Sequence, residues 1–184
     1  MTFQTLWYKT CLPSNVINSF LEDTKLFENH LEQAALKDNV IRPSSRSGEI
    51  YWVTNRHWIA GFCYHYILEA NKTNFNYDIN GFDNNTLQYT SYSVGDHYKW
   101  HIDTINDKPL DQIRKLSFTV QLSDPEEYSG GELQFLGDDD QLYFAPKDKG
   151  TIIIFDSRLK HRVRKVKSGC RKALVGWVEG PKWK

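Results

Sequence analysis

Two histidines and a carboxylate stand where they can share one metal ion. They lie in the segment Tyr92-Ser93-Val94-Gly95-Asp96-His97-Tyr98-Lys99-Trp100-His101-Ile102-Asp103 and, further on, at His161. Residues two apart on a strand point to the same face, so His101 and Asp103 aim an imidazole and a carboxylate at one point. The third ligand has to come from elsewhere in the fold. His161 closes Asp156-Ser157-Arg158-Leu159-Lys160-His161, just after an apolar run ending at Phe155. Two His and one carboxylate on one face of an iron ion leave three positions open for substrate and oxygen.

Alone, His-x-Asp is weak, because it is common by chance and a single His near a strand end is usually a surface or capping residue. His97 and His101 are four apart and would make a zinc pair on a helix. That pattern needs a Glu after the first His, where this chain has Tyr98, and Gly95-Asp96 points to a turn into a strand.

The elements that must position these groups fall into two textures. Pro13-Ser14-Asn15 suits a helix start. Val16, Ile17, Phe20 and Leu21 give a helical apolar stripe that Leu26, Phe27 and Leu31 continue. A second helix is expected from about Asn55 to Asn71, with Trp58, Ile59, Phe62, Tyr66 and Ile67 inward. Beyond Asn71 the pattern turns to strands: Thr86 to Val94, Leu116 to Leu122, Gly131 to Phe135, Gly150 to Phe155 and Leu174 to Val178. Short strands separated by turns, after a helical layer, predict an α+β fold. Its core is a jelly roll (a double-stranded β-helix, cupin-like) buttressed by N-terminal helices. Residues 1–184 are expected to form one domain, with 1–85 mainly helical support and 86–184 the catalytic core.

Composition excludes several classes. Lys+Arg and Asp+Glu both number 23, so bulk charge gives no affinity for nucleic acid. Cys11, Cys63 and Cys170 are odd in number and far apart, which disfavours a zinc cage or a disulfide framework and fits buried thiols in a reducing compartment. The first residues lack the basic start and apolar run of a signal peptide, and no stretch approaches the roughly 18 apolar residues of a membrane span. A soluble cytoplasmic protein with no membrane partner is expected. Nothing sets the oligomeric state, and a monomer is compatible. Aromatic residues make up 14%, which suits a β-rich core.

Downstream of His161 the chain continues through Arg162-Val163-Arg164-Lys165-Val166 to Gly169-Cys170-Arg171 and Trp177. With that stretch it resembles the prolyl 4-hydroxylase branch of the 2-oxoglutarate oxygenases and the related bacterial and phage hydroxylases. The family pattern is Tyr-x-x-Gly-x-x-Tyr, two residues, then His-x-Asp. Gly-Gly-Glu-x-x-Phe follows, and last a His with Lys or Arg ten residues on. This chain supplies Tyr92, Gly95, Tyr98, His101, Asp103, Gly130, Gly131, Glu132, Phe135, His161 and Arg171, over about residues 88 to 180.

The resemblance implies Fe(II) on His101, Asp103 and His161, with 2-oxoglutarate and O2 as co-substrates and ascorbate as an accessory. Arg171 would pair with the distal carboxylate of 2-oxoglutarate, which suits a guanidinium. Tyr92 would hydrogen-bond the co-substrate, and Tyr98 and Trp177 would line the substrate side; plain core packing is the competing account of each aromatic. Arg162 and Arg164 fit a solvated surface. The implied reaction is hydroxylation of a C–H bond with release of succinate and carbon dioxide. Related halogenases lack the carboxylate that Asp103 provides. Nucleic-acid demethylases of this fold carry two arginines where this chain has Val178 and Lys184, so no nucleic-acid partner is expected. Peptidyl proline is the first substrate expected, a free amino acid or other small molecule the second. A cupin-like metal-binding protein without turnover is the non-enzyme alternative. The segments Thr104–Lys115 and Arg42–Gly48 are either lids over the substrate or solvated loops.

Overall fold

A computed structural model describes residues 6–9, 12–35, 40–104 and 112–183. Its first elements are β1 (Leu6–Lys9), α1 (Ser14–Glu28), β2 (Glu32–Gln33), β3 (Glu49–Thr54), α2 (Trp58–Ala70) and β4 (Gly81–Phe82). Next come β5 (Thr86–Tyr92), β6 (Tyr98–His101), β7 (Gln112–Gln121), β8 (Tyr128–Gly130) and β9 (Leu133–Leu136). The last are β10 (Leu142–Phe144), β11 (Ile152–Asp156), β12 (His161–Val163), β13 (Val166–Gly169) and β14 (Arg171–Pro181).

Helix α1 begins where Pro13 leaves an extended backbone and its carbonyl accepts from the Val16 and Ile17 N–H groups. Ile17, Phe20, Thr24 and Phe27 repeat at helical spacing and are buried. Leu26 falls off that face and is 66% exposed, so the expected stripe does not include it. Helix α2 starts later than expected. The His57 ring accepts from the Ile59 N–H as the cap, and Trp58, at the first turn, is exposed rather than inward. Its indole N–H donates to Asp23 on α1 at 2.5 Å while its ring edges onto Phe20, which ties the two helices together.

The strands form two main antiparallel sheets. The larger runs β1-β11-β7-β14-β5-β3-β2, with β4 on the far end of β14; the smaller runs β10-β9-β12-β6, and β13 pairs with β8. The first 85 residues therefore supply β1 to β4 to the large sheet as well as the two helices, and the boundary expected at residue 85 is crossed by backbone hydrogen bonds such as those of β3 to β5. Strand β3 was not expected, because its apolar run Ile50-Tyr51-Trp52-Val53 is continuous rather than alternating.

Both helices cover the outer face of the large sheet. Ile17, Phe20, Ile59, Cys63 and Ile67 join Leu116, Phe118, Val120, Ile152 and Ile154 in the main core. A second core, of Leu133, Phe135, Ile153, Phe155 and Leu159, lies between the sheets. The jelly roll thus has an inner face, and β7 divides cleanly between the two. Leu116, Phe118 and Val120 meet the helices, while Ser117, Thr119 and Gln121 turn inward. That polar half is buried as deeply as the apolar half, with all three residues 2% exposed. An antiparallel strand with a solvated face would show the polar half in water; here it lines a cavity.

Candidate active site

Three side chains meet at one end of that cavity. His101 ends β6, Asp103 lies two residues past it, and His161 opens β12 directly opposite His101 in the register. Their ligand atoms lie within 4.8 Å of one another, the one such group of three or more among the described residues. His101 Nε2 is 3.5 Å from Asp103 Oδ1, and His161 Nε2 is 3.3 Å from Asp103 Oδ2. Each imidazole is oriented from behind. His101 Nδ1 lies 2.7 Å from the Lys99 carbonyl and His161 Nδ1 2.8 Å from the Leu159 carbonyl. A carbonyl only accepts, so both Nδ1 atoms carry the proton and both Nε2 lone pairs face the carboxylate.

Asp103 is held as firmly. Its N–H donates to the Ser157 carbonyl at 2.8 Å, and Ser117 Oγ donates to Oδ2 at 2.8 Å while lying 2.9 Å from Ser157 Oγ. Burial by itself would raise this carboxyl, but the two imidazoles hold it well below the ordinary range. His161 is likewise opposed by burial, yet Asp103 raises it, whereas burial and the neighbouring His161 lower His101. The group is an anionic carboxylate between two imidazoles, with one site that a proton or a metal cation can fill.

The other end of the cavity is built on the large sheet. Arg171 opens β14 opposite Tyr92 on β5, and its guanidinium lies 5.7 Å from the Tyr92 ring. It is 2% exposed, donates through Nη2 to Gln121 Oε1 at 3.0 Å, and has a buried Nε without a partner. Among the described residues no carboxylate pairs with it. Thr119 Oγ1, on the same inner face, is also buried and without a partner. Sequence reasoning passed over Thr119 because its polarity matches an ordinary exposed strand position. The Gly130-Gly131 turn serves this corner. Both residues have positive φ; a Cβ on Gly130 would run into the Lys165 carbonyl, and one on Gly131 would press on Arg171 Cδ at 3.1 Å. Glu132 beside them meets Arg164 at 3.6 Å, so Arg164 is paired rather than simply solvated, and Arg162 donates to Gln134 at 2.7 Å while stacking on Trp100.

Tyr98 stacks on His101 with ring centroids 3.6 Å apart, and burial pushes its hydroxyl up to about 12, so it stays protonated. Trp177, opposite Ser117 on β7, is covered by the Arg114 guanidinium at 4.0 Å and neighbours the exposed Trp52. Tyr92, Tyr98, Trp177 and Arg171 therefore share one cavity with His101, Asp103 and His161. His97 does not; its ring meets Ser47 and the Gly95 carbonyl. Residues 105–111 of the expected lid, and Cys11, lie outside the described residues, while 112–115 belong to β7. Cys63 and Cys170 are free thiols, the first fully buried and pushed up by burial.

Residues 87–179 match the model of the 2OG-Fe(II) oxygenase superfamily. The chain belongs to that superfamily. Its members take their name from iron(II) and 2-oxoglutarate, and the residues present fit both. A His-Asp-His donor set with Nε2 lone pairs converging suits Fe(II), and the buried Arg171 Nε suits a carboxylate. Among curated oxygenases, a PKHD-type hydroxylase of Synechococcus sp. (strain CC9902) is 42% identical over 90 residues, 47% of this chain and 37% of that relative. A PKHD-type hydroxylase of Synechococcus elongatus is 38% identical over 97 residues, 51% of this chain and 43% of that relative. The chain thus spans under half the length of these relatives. The same jelly roll is seen in a Pseudomonas putida prolyl-4-hydroxylase, with TM-score 0.78 at 17% identity over 98% of this chain and 95% of that one. It recurs in a Trichoplax adhaerens prolyl hydroxylase solved with a peptide fragment, with TM-score 0.79 at 18% identity over 96% and 84%. No helix among the described residues is long and apolar enough to cross a membrane.

Proposed function

We propose that this oxygenase is an Fe(II)- and 2-oxoglutarate-dependent hydroxylase of the prolyl hydroxylase type, acting on peptidyl proline and releasing succinate and carbon dioxide. The observation that carries the reading is the pairing, in one cavity, of a convergent His-Asp-His group with a buried arginine that has no carboxylate of its own. In this reading His101, Asp103 and His161 hold the metal, and the sheets and helices act as one catalytic domain. Arg171 takes the distal carboxylate of 2-oxoglutarate through charge-assisted hydrogen bonds. Thr119 Oγ1 is a second donor on that side, and Tyr92 adds a hydroxyl. Bound together, iron and 2-oxoglutarate would let O2 act as the oxidant, with one oxygen atom going into succinate as carbon dioxide leaves and the other into a substrate C–H bond.

The protein's own part is orientation and exclusion of water. The Lys99 and Leu159 carbonyls fix the imidazole tautomers, and Ser117 fixes the carboxylate. Tyr98 and Trp177 wall the substrate side with apolar surface, which keeps water from the reacting centre. The peptide seen with the Trichoplax enzyme supports a peptide as substrate class. Mass spectrometry of a proline-rich peptide incubated with the protein, Fe(II) and 2-oxoglutarate tests this. One added oxygen on proline, matched by succinate, is the expected result. Succinate formed without oxygen on any peptide, but with oxygen on a free amino acid, moves the substrate to the small-molecule class. No 2-oxoglutarate consumption under any condition refutes the oxygenase reading itself.

A further inference from the structure

The cavity contains a second arginine that the hydroxylase reading leaves without a task. Arg46, from the loop before β3, is 8% exposed and lines the same cavity. Its Nη1 donates to the Ala35 carbonyl at 3.0 Å and its Nη2 to Gln88 Oε1 at 2.5 Å, both neutral acceptors. Its Nε is buried and unpartnered, and so is Gln88 Nε2 on the fully buried Gln88. Among the described residues no carboxylate pairs with Arg46. The charges lining the cavity are Arg46, Arg171 and Asp103. On the proposed function, which this inference rests on, the metal balances Asp103 and 2-oxoglutarate balances Arg171. One positive charge is left over, and buried charges are ordinarily paired.

We propose that Arg46 and Gln88 bind a carboxylate carried by the substrate, so that the enzyme selects acidic over neutral substrates. Arg46 Nε and Gln88 Nε2 are two N–H donors without a partner, as many as the oxygens of a carboxylate, and a peptide carbonyl would leave the guanidinium charge unbalanced. The position suits substrate rather than co-substrate. The Arg46 guanidinium lies 4.8 Å over the Tyr98 ring, and Tyr98 stacks directly on His101. A carboxylate there sits one ring layer from the metal-facing imidazole, within reach of a single amino-acid residue bound at the iron. That carboxylate belongs either to a free amino acid or to an acidic side chain beside the target residue of a peptide.

The test uses acid and amide pairs: L-proline against L-prolinamide, and the peptide amides Gly-Pro-Glu-NH2 against Gly-Pro-Gln-NH2. Substrate-coupled turnover is measured with Fe(II) and 2-oxoglutarate. Binding is measured calorimetrically on the protein loaded with zinc(II) and 2-oxoglutarate, which does not turn over. The acid member of one pair should bind and react roughly ten- to a hundredfold better than its amide, the scale of a charge-assisted pair. The pair that responds identifies the source of the carboxylate. Arg46→Gln should bring acid and amide within about threefold of each other, again on the scale of that pair. Should that variant not fold, Gln88→Glu is the near-isosteric alternative. It places an anion against Arg46 and should likewise erase the preference. Equal behaviour of acid and amide in both pairs, including no binding of either, overturns the proposal, as does a preference that survives both substitutions. Conversion of 2-oxoglutarate by the unsubstituted protein without any substrate reports separately on the oxygenase reading.

Discussion

The end of the cavity proposed to hold the metal draws His101 from the edge of the small sheet and His161 from its interior, whereas the end proposed to hold 2-oxoglutarate sits on the central strand of the large one. His101 ends β6, an edge strand of four residues, and His161 opens a three-residue β12 whose pairing with β6 shifts register. Arg171 opens the eleven-residue β14, flanked on both sides by β5 and β7. His101 is 17% exposed at its side chain, while Asp103, His161 and Arg171 are buried. Precision at the open end comes from side chains and carbonyls acting one by one on each ligand. At the closed end it comes from continuous sheet. A position where ligands exchange needs an approach, while a carboxylate-binding arginine works best out of water.

The comparison can be broken by substitutions that separate chemistry from stability. His161→Ala should lower substrate-coupled succinate formation by on the order of a thousandfold or more, since a metal ligand is lost, while the thermal melt of the metal-free protein stays cooperative. Full turnover in this variant would remove His161 from the metal site. At the opposite extreme, Phe118→Ala on β7 should cost about 3–5 kcal/mol of stability, because Phe118 packs between sheet and helices. Denaturant unfolding reads this directly, and a loss under 1 kcal/mol would mean the large sheet is not the rigid half.

Smaller effects sharpen the contrast. Arg171→Gln should raise the KM for 2-oxoglutarate by roughly ten- to a hundredfold, the equivalent of a charge-assisted hydrogen-bond pair, and leave iron affinity nearly unchanged. An effect on iron equal to that on 2-oxoglutarate would couple the two ends. Ser117→Ala removes the hydroxyl that orients Asp103 and should weaken metal binding by about ten- to a hundredfold, measured by competition with a chelator. Unaltered affinity would show that Ser157 suffices. The smallest change is expected at Asp156, next to the cavity-lining Phe155 but with its carboxyl turned to Tyr77 and Arg158. Burial would raise its carboxyl, but the hydrogen bonds from Arg158 and Tyr77 outweigh this and lower it. A lowered folded value means the contribution is present above the ordinary Asp range near pH ~4 and fades as pH falls through the folded value. Tyr77→Phe should cost about 1 kcal/mol at neutral pH, with the gap to the parent protein narrowing in acid.

How much was legible in the sequence differs between the same two ends. Strand spacing brought out His101 and Asp103, and the resemblance to the family pattern added His161 and Arg171. The helix-forming stripe of Ile17, Phe20 and Phe27 was equally plain. The strand β3 was not, because only Ile50 and Val53 of its six residues are buried and its pairing with β5 is remote in sequence. Thr119 and Gln88 were also passed over as cavity residues, since polar residues at alternating positions look solvated until the second sheet closes over them; Arg46 was covered only as part of the Arg42–Gly48 loop, with no role of its own.

The sequence by itself determined the chemistry available: which side chains can ligate, which cation can hold a carboxylate, and in what order they come along the chain. These are local properties of residue type and of the two-residue strand period. Only the tertiary structure decided which charges were left without a partner. Pairing and burial depend on contacts between segments far apart in the chain, and Arg171 and Arg46 became two buried cations lining the triad's cavity only when the sheets packed face to face.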